Sequence, residues 1–226
     1  MKTNPMTPAS AACKVLLVDD HPMFREHLAH LINRDLGMVV VGEAETVRDA
    51  LELIRSNAPD IAIVDITLRG ASGLELLKEI KAAGLGVDVL VLSMHDEELY
   101  AERALRAGAK GYITKNEAST EVINAIRRVS SGEVYASSRM TSKLLGRLGE
   151  GRSNAESFGV ESLADRELEV FQLLGRGMST REIAQELGLG DSTVETYRSR
   201  IKDKLGLRSA AELYLRAGQW VRDQGG

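Results

Sequence analysis

The chain has a single cysteine, Cys13, so it cannot form an internal disulfide, and this agrees with a reducing, cytoplasmic setting. No apolar run approaches the roughly 20 residues that a membrane helix requires, so no membrane partner is expected. The N-terminal MKTNPMTPAS has no apolar core behind Lys2, which gives no reason to expect export. Internal repeats and low-complexity tracts are also missing. Net positive charge is lacking too: 29 Lys and Arg stand against 33 Asp and Glu, for a net charge of -4. That balance argues at first sight against a nucleic-acid binder, whose affinity comes largely from cations neutralising phosphates.

What is present is distributed unevenly. Arg198, Arg200, Lys202, Lys204 and Arg208 gather near the C-terminus, whereas Asp19, Asp20 and Asp65 lie in the first half. One half is suited to a cation and the other to an anion. Hydrophobic residues at 43% and charged residues at 27% are ordinary for a soluble globular protein, and 226 residues suit two compact units.

The first half alternates β-rich apolar runs with segments of helical period, which predicts βα units and a parallel sheet. Strands are expected at 15–18, 38–44, 61–65, 89–93 and 111–114. Helices are expected near 23–35, 46–56, 73–83, 97–107 and 119–131, with Gly37, Gly84 and Gly108 as stop signals. The first, third and fourth strands read as continuous Val, Ile and Leu, as strands buried on both faces do. From about 136 to 160 Ser and Gly accumulate and periodicity fades, which reads as a flexible linker. Only helical signals follow, at 163–177, 180–188, 191–206 and 209–220.

In an open parallel sheet, ligands bind outside the carboxyl ends of the strands, near the point where strand order reverses. Asp19 and Asp20 close the first strand, Asp65 the third and Ser93 the fourth, and Lys115 follows the fifth. Three carboxylates brought together demand a cation, and hard oxygen ligands suit Mg²⁺. Any one Asp at a strand end is more often a turn or cap residue; it is the full set in register that points to a site.

With these residues in place, VDDH at 18–21, VDITLRGASGLELL at 64–77, LSMHDE at 92–97 and GAKGYITK at 108–115 resemble a response regulator receiver domain over about the first 130 residues. The resemblance implies a doubly wound five-stranded parallel sheet of flavodoxin-like order. It makes Asp65 the phosphoacceptor for a sensor histidine kinase, with Mg²⁺ held by Asp19, Asp20, Asp65 and the Thr67 carbonyl. Ser93 and Lys115 would contact the phosphoryl group, and Tyr112 would be the switch aromatic. His95, two residues past Ser93, is expected beside the phosphoryl site, where with Thr67 it would set the lifetime of the phosphate. Two residues depart from the receiver pattern. Arg69 replaces a usual Pro, which should loosen its loop, and Ser93 replaces Thr.

The C-terminal stretch from about 161 to 219 resembles the NarL/FixJ (LuxR-type) helix-turn-helix. Leu168, Val170, Phe171 and Leu174 form one apolar face, Ile183, Ala184 and Leu187 a second, and Val194, Tyr197, Ile201 and Leu205 a third. The opposite side of the third helix offers Glu195, Thr196 and Ser199 to base edges of double-stranded DNA, with Arg198, Arg200, Lys202 and Lys204 on phosphates. Gly190 stands where Ser usually caps this helix, and Asp191 or Ser192 is expected to cap instead. Ala164 and Asp165 replace the common Thr-Pro. The expected organisation is a receiver at 13–135, a linker at 136–160 and a DNA-binding domain at 161–226, with the unphosphorylated receiver covering the recognition helix and the phosphorylated form a homodimer, both contributing to control.

Rival classes fit less well. A dehalogenase-type phosphatase needs a second acid two residues after its nucleophile, where this chain has Thr67. A dinucleotide site needs GxGxxG after the first strand, and none is there. A receiver that takes no phosphate would not need Asp19, Asp20 and Lys115 together.

Overall fold

The computed structural model describes residues 12–94, 97–137, 140–142 and 159–224. Five parallel strands form one sheet in the order β2-β1-β3-β6-β7. They are β1 (Cys13–Val18), β2 (Met38–Ala44), β3 (Ile61–Val64), β6 (Asp88–Ser93) and β7 (Gly111–Thr114). Helices α1 (Pro22–Asn33), α2 (Val47–Asn57), α3 (Gly73–Ala82), α4 (Glu97–Ala107) and α5 (Ala118–Ser130) connect and cover them. The chain reverses direction across the sheet between β1 and β3, which opens a crevice at their carboxyl ends.

Burial explains why the strand sequences are so apolar. Val15, Leu16, Ile61, Ala62, Val64, Leu90 and Val91 are all inaccessible, because helices cover both faces. One apolar layer sits under α1 and α5. The other lies under α2, α3 and α4 and runs without a break into the C-terminal helices.

One pair of strands was absent from the expected set. Immediately after Asp65, β4 (Thr67–Leu68) and β5 (Ala71–Ser72) form a two-stranded antiparallel hairpin. The loop that Arg69 was expected to loosen is therefore a hydrogen-bonded turn. Gly73 then begins α3 so close to the Asp65 backbone that a Cβ there would stand 1.9 Å from the Asp65 carbonyl oxygen, which only glycine permits.

The start of the expected linker is ordered against the sheet. Tyr135 pairs with Gly111 along the β7 edge, the Ser137 amide donates to Glu97 Oε1 at 3.0 Å, and Met140 is buried. The expected linker's residues 138–139 and 143–158 lie outside the described residues.

The C-terminal helices are α6 (Asp165–Gly175), α7 (Thr180–Leu187), α8 (Asp191–Leu205) and α9 (Ala210–Gln224). Ser179 caps α7, accepting from the Glu182 amide at 3.3 Å, while the Glu182 carboxylate accepts from the Ser179 amide at 2.8 Å. Gly188 ends α7 in the left-handed region at φ 64°, which makes the tight turn before α8. The expected cap by Asp191 or Ser192 is not formed. Gly190 itself holds the N-cap conformation without a side-chain hydrogen bond, a substitution that costs only a few tenths of a kcal/mol.

Candidate functional site

The crevice assembles the residues that the sequence placed at four strand ends. Asp19, Asp20, Asp65, Ser93 and Lys115 are all buried. Lys115 Nζ lies 2.7 Å from both Asp65 Oδ2 and Asp19 Oδ2. Ser93 ends β6, and its carbonyl accepts from the Lys115 amide at 2.8 Å, which ties the fourth strand end to the fifth. The Thr67 amide reaches Asp65 Oδ1 at 3.4 Å. Tyr112 is buried at 1% exposure, and its amide donates to the Tyr135 carbonyl at 3.0 Å. His95 lies outside the described residues.

Burial dominates the electrostatics. It pushes the Asp65 carboxyl up to about 6; Lys115 opposes the rise and Asp19 adds to it. Burial also disfavours the charged form of Lys115, but Asp65 and Asp19 outweigh this and raise its pKa. The ammonium pairs with two of the three carboxylates, and Asp20 Oδ1 is buried without a hydrogen bond. A buried carboxylate oxygen without a donor fits a divalent cation ligated through oxygen.

Three side chains not expected at this crevice also approach it. His21 was quoted only as the end of VDDH, yet its Nδ1 lies 3.1 Å from Asp19 Oδ1, 2.9 Å from Asp20 Oδ1 and 4.0 Å from Asp65 Oδ2. Phe24, one turn into α1, places its ring under Lys115, with Nζ 4.6 Å from the centroid. Arg69 extends from the hairpin turn to within 3.9 Å of Asp20 Oδ2.

The hairpin and the adjacent helices also hold the C-terminal domain. The Gly70 amide donates to the Leu187 carbonyl at the end of α7 at 3.0 Å. Ser72 Oγ donates to Glu169 Oε1 at 2.9 Å, and Arg166 Nη2 donates to the Leu68 carbonyl at 3.0 Å. Arg166 also pairs with Glu169. Asp165 receives Lys78 at 2.7 Å and Arg103 at 3.1 Å, and Tyr100 donates to Gln172 Oε1 at 3.2 Å. A Cβ at Gly188 would stand 3.1 Å from the Gly70 nitrogen, so the two backbones approach closely.

Burial pushes Glu169 from 4.5 to about 7, against the lowering effects of Arg166 and Ser72. Closing the domains therefore makes this carboxyl easier to protonate than when it faces water. The contribution to the closed arrangement is fullest below about pH 4.5 and is lost as pH rises through about 7. X-ray scattering should give a smaller radius of gyration at about pH 5.5 than at about pH 8; the reverse order would contradict this assignment.

On α8, Val194 and Ile201 are buried while Glu195, Thr196, Ser199 and Arg200 are exposed and Lys202 is half-buried. Two of the expected phosphate contacts are engaged within the domain. Arg198 donates to Thr180 Oγ1 and Glu195 and lies 5.3 Å from the Tyr214 ring centroid. Lys204 Nζ reaches Glu167 Oε2 at 2.6 Å. Among the described residues, no hydrogen bond or ion pair joins the first domain to α8; its hold is on α6, on Glu161 and Leu163 just before it, and on the end of α7.

Comparison with known proteins agrees with this architecture. Residues 15–127 match the family described as response regulator receiver domain. Residues 161–217 match that described as bacterial regulatory proteins, luxR family. The chain is 37% identical over 200 residues to the Bordetella pertussis virulence factors putative positive transcription regulator BvgA, covering 88% of this chain and 94% of that protein. It is 34% identical over 199 residues to the Escherichia coli response regulator UvrY, covering 88% and 90%. The response regulator RcsB of Salmonella typhimurium shares the fold, with a TM-score of 0.64 at 22% identity over 93% of this chain and 98% of that one. No helix among the described residues is long and apolar enough to cross a membrane. By its matched regions and its overlap with these relatives, the chain belongs to the two-component response regulators that join an N-terminal receiver to a luxR-family DNA-binding domain.

Proposed function

We propose that this transcriptional regulator accepts a phosphoryl group on Asp65 from a sensor histidine kinase in the cytoplasm, and that its C-terminal domain then binds promoter DNA as a homodimer. The observation that carries the reading is the convergence of Asp19, Asp20, Asp65, Ser93 and Lys115, from four strand ends, on one crevice. Phosphoryl transfer demands little covalent chemistry of a protein beyond positioning and charge neutralisation.

An Asp65 carboxylate oxygen is the nucleophile: its bond to phosphorus forms as the bond from phosphorus to the donor's leaving atom breaks. Its carboxyl, titrating near 6, is mostly ionised at neutral pH. Lys115 and Ser93 hold the phosphoryl oxygens, and burial keeps competing water from the acyl phosphate. Asp19, Asp20, Asp65 and the Thr67 carbonyl would hold Mg²⁺, which supplies neutralisation of the charge on the transferred group. Beyond this autocatalysis at Asp65 the protein is not an enzyme.

The hairpin that begins two residues after Asp65 carries the signal. In the unphosphorylated protein it grips α6 and α7 through Gly70, Ser72 and Leu68. Direct covering of α8 is not part of this grip, so control acts by releasing the domain to pair on two half-sites, where bivalency raises affinity. Within each copy, Glu195, Thr196 and Ser199 read bases. Arg200 and Lys202 contact phosphates, joined by Arg198 and Lys204 when their internal partners exchange for DNA.

Lys202→Ala tests the interface. Binding should weaken about equally on all sequences, and the slope of log affinity against log salt should fall by about one. Glu195→Ala should instead shift the preferred base at one position by roughly 1 to 3 kcal/mol. Titrations on matched and mismatched duplexes at several salt concentrations distinguish the two. If Lys202→Ala changed base preference and Glu195→Ala did not, α8 would be wrongly oriented in the groove.

A further inference from the structure

The role of the His21 side chain is not explained by its helix. His21 occupies the N-cap of α1 but makes no side-chain capping hydrogen bond. Its ring is 59% exposed, so it is not packed for stability. It nevertheless turns Nδ1 into the acidic crevice, to 2.9 Å from Asp20 Oδ1, the buried oxygen that accepts no hydrogen bond.

His21 Nδ1 hydrogen-bonds Asp19 Oδ1, and the spacings within this group also suit a coordination sphere. With ligands about 2.1 Å from an octahedral dication, neighbouring ligand atoms are about 3.0 Å apart and opposite ones about 4.2 Å. Nδ1 lies 3.1 Å from Asp19 Oδ1, 2.9 Å from Asp20 Oδ1 and 4.0 Å from Asp65 Oδ2. Two separations match an octahedral edge and the third a diagonal. One potential ligand atom from each of the four residues fits within 4.8 Å. Arg69 approaches the other oxygen, Asp20 Oδ2, and leaves Oδ1 to the site.

We propose that His21 Nδ1 is an additional ligand of the dication held by Asp19, Asp20 and Asp65, giving this receiver a mixed nitrogen and oxygen site. The inference rests on reading the acidic crevice as the metal site. Imidazole gains more from Mn²⁺ and Co²⁺ than from Mg²⁺, which prefers oxygen and water. The pocket therefore favours first-row transition dications more than an all-oxygen site would. The ring nitrogen binds through its lone pair, with the imidazole proton on Nε2 toward solvent.

The test uses the full chain without any phosphodonor. Calorimetric titration with MgCl₂ and with CoCl₂ is compared for the wild type, His21→Ala and Asp20→Asn. Pulsed electron paramagnetic resonance of the Mn²⁺-loaded protein reports nitrogen directly bound to the ion. The wild type should show nitrogen coupling that His21→Ala lacks. The ratio of Co²⁺ to Mg²⁺ affinity should fall at least about 10-fold in His21→Ala. Asp20→Asn should weaken both ions. Mn²⁺ bound without nitrogen coupling in the wild type, or an unchanged affinity ratio in His21→Ala, overturns the role of His21 and leaves the carboxylate site standing. If the wild type binds neither ion, both readings fall.

Discussion

Asp65→Asn should lower the rate of acyl phosphate formation at least about 1000-fold, because it removes the nucleophile and leaves only positioning groups. Asn has nearly the same volume, so the buried position of Asp65 stays filled. The substitution also removes a carboxyl that burial holds at about 6 rather than 3.8. A carboxyl raised in this way is destabilising once ionised. The variant should therefore melt at the same or a higher temperature than the wild type at neutral pH. Labelling with a small phosphodonor, read beside a thermal melt, distinguishes lost chemistry from a lost fold. Labelling of a well-folded Asp65→Asn at the wild-type rate would place the phosphate elsewhere.

Arg166→Ala is expected to open the molecule. Arg166 and Glu169 are 5% and 1% exposed in the closed form, and the arginine also holds the Leu68 carbonyl. Removing one member of a buried ion pair costs about 3–5 kcal/mol when the other charge must stay buried. Here Glu169 has an escape, because separating the domains returns it to water. The cost therefore falls on the interface rather than on either fold. X-ray scattering should show a larger radius of gyration with helix content unchanged, and DNA binding by the unphosphorylated variant should strengthen on the order of 10-fold, as a restrained population is released. Glu169→Gln, which keeps the shape and can still accept from Ser72, should open the molecule much less. A variant that stays as compact as the wild type would show that the pair does not hold the domains.

The strands were legible because their physics is local. VLLV, IAIVD and VLVLS are apolar throughout because helices cover both faces of the sheet, and the residues that break the runs are the ones the crevice needs. The β4–β5 hairpin was not legible, since two-residue strands carry no period. The interface was hidden for a different reason. Arg166, Glu169 and Gln172 occupy what reads as the polar side of an amphipathic helix, and only the presence of the receiver makes them buried. Arg198 was expected on phosphates, but Tyr214 on α9 gives its guanidinium a ring to lie against, a contact that spacing along one helix cannot reveal. In the acidic crevice, His21 was not legible because a histidine after two aspartates carries no sign of its ring's direction, which the start of α1 sets.

The account's central claim is that chemistry at Asp65 loosens the hairpin's hold on the DNA-binding domain. Hydrogen exchange at the Gly70 amide measures that hold directly, because this amide donates to the Leu187 carbonyl across the interface. Exchange should be slow in the unphosphorylated protein. It should become much faster once a phosphodonor and Mg²⁺ are added, and remain slow in Asp65→Asn under the same treatment. If phosphorylation tightened DNA binding while the Gly70 amide stayed as protected as before, the hairpin would not be the link between the two domains.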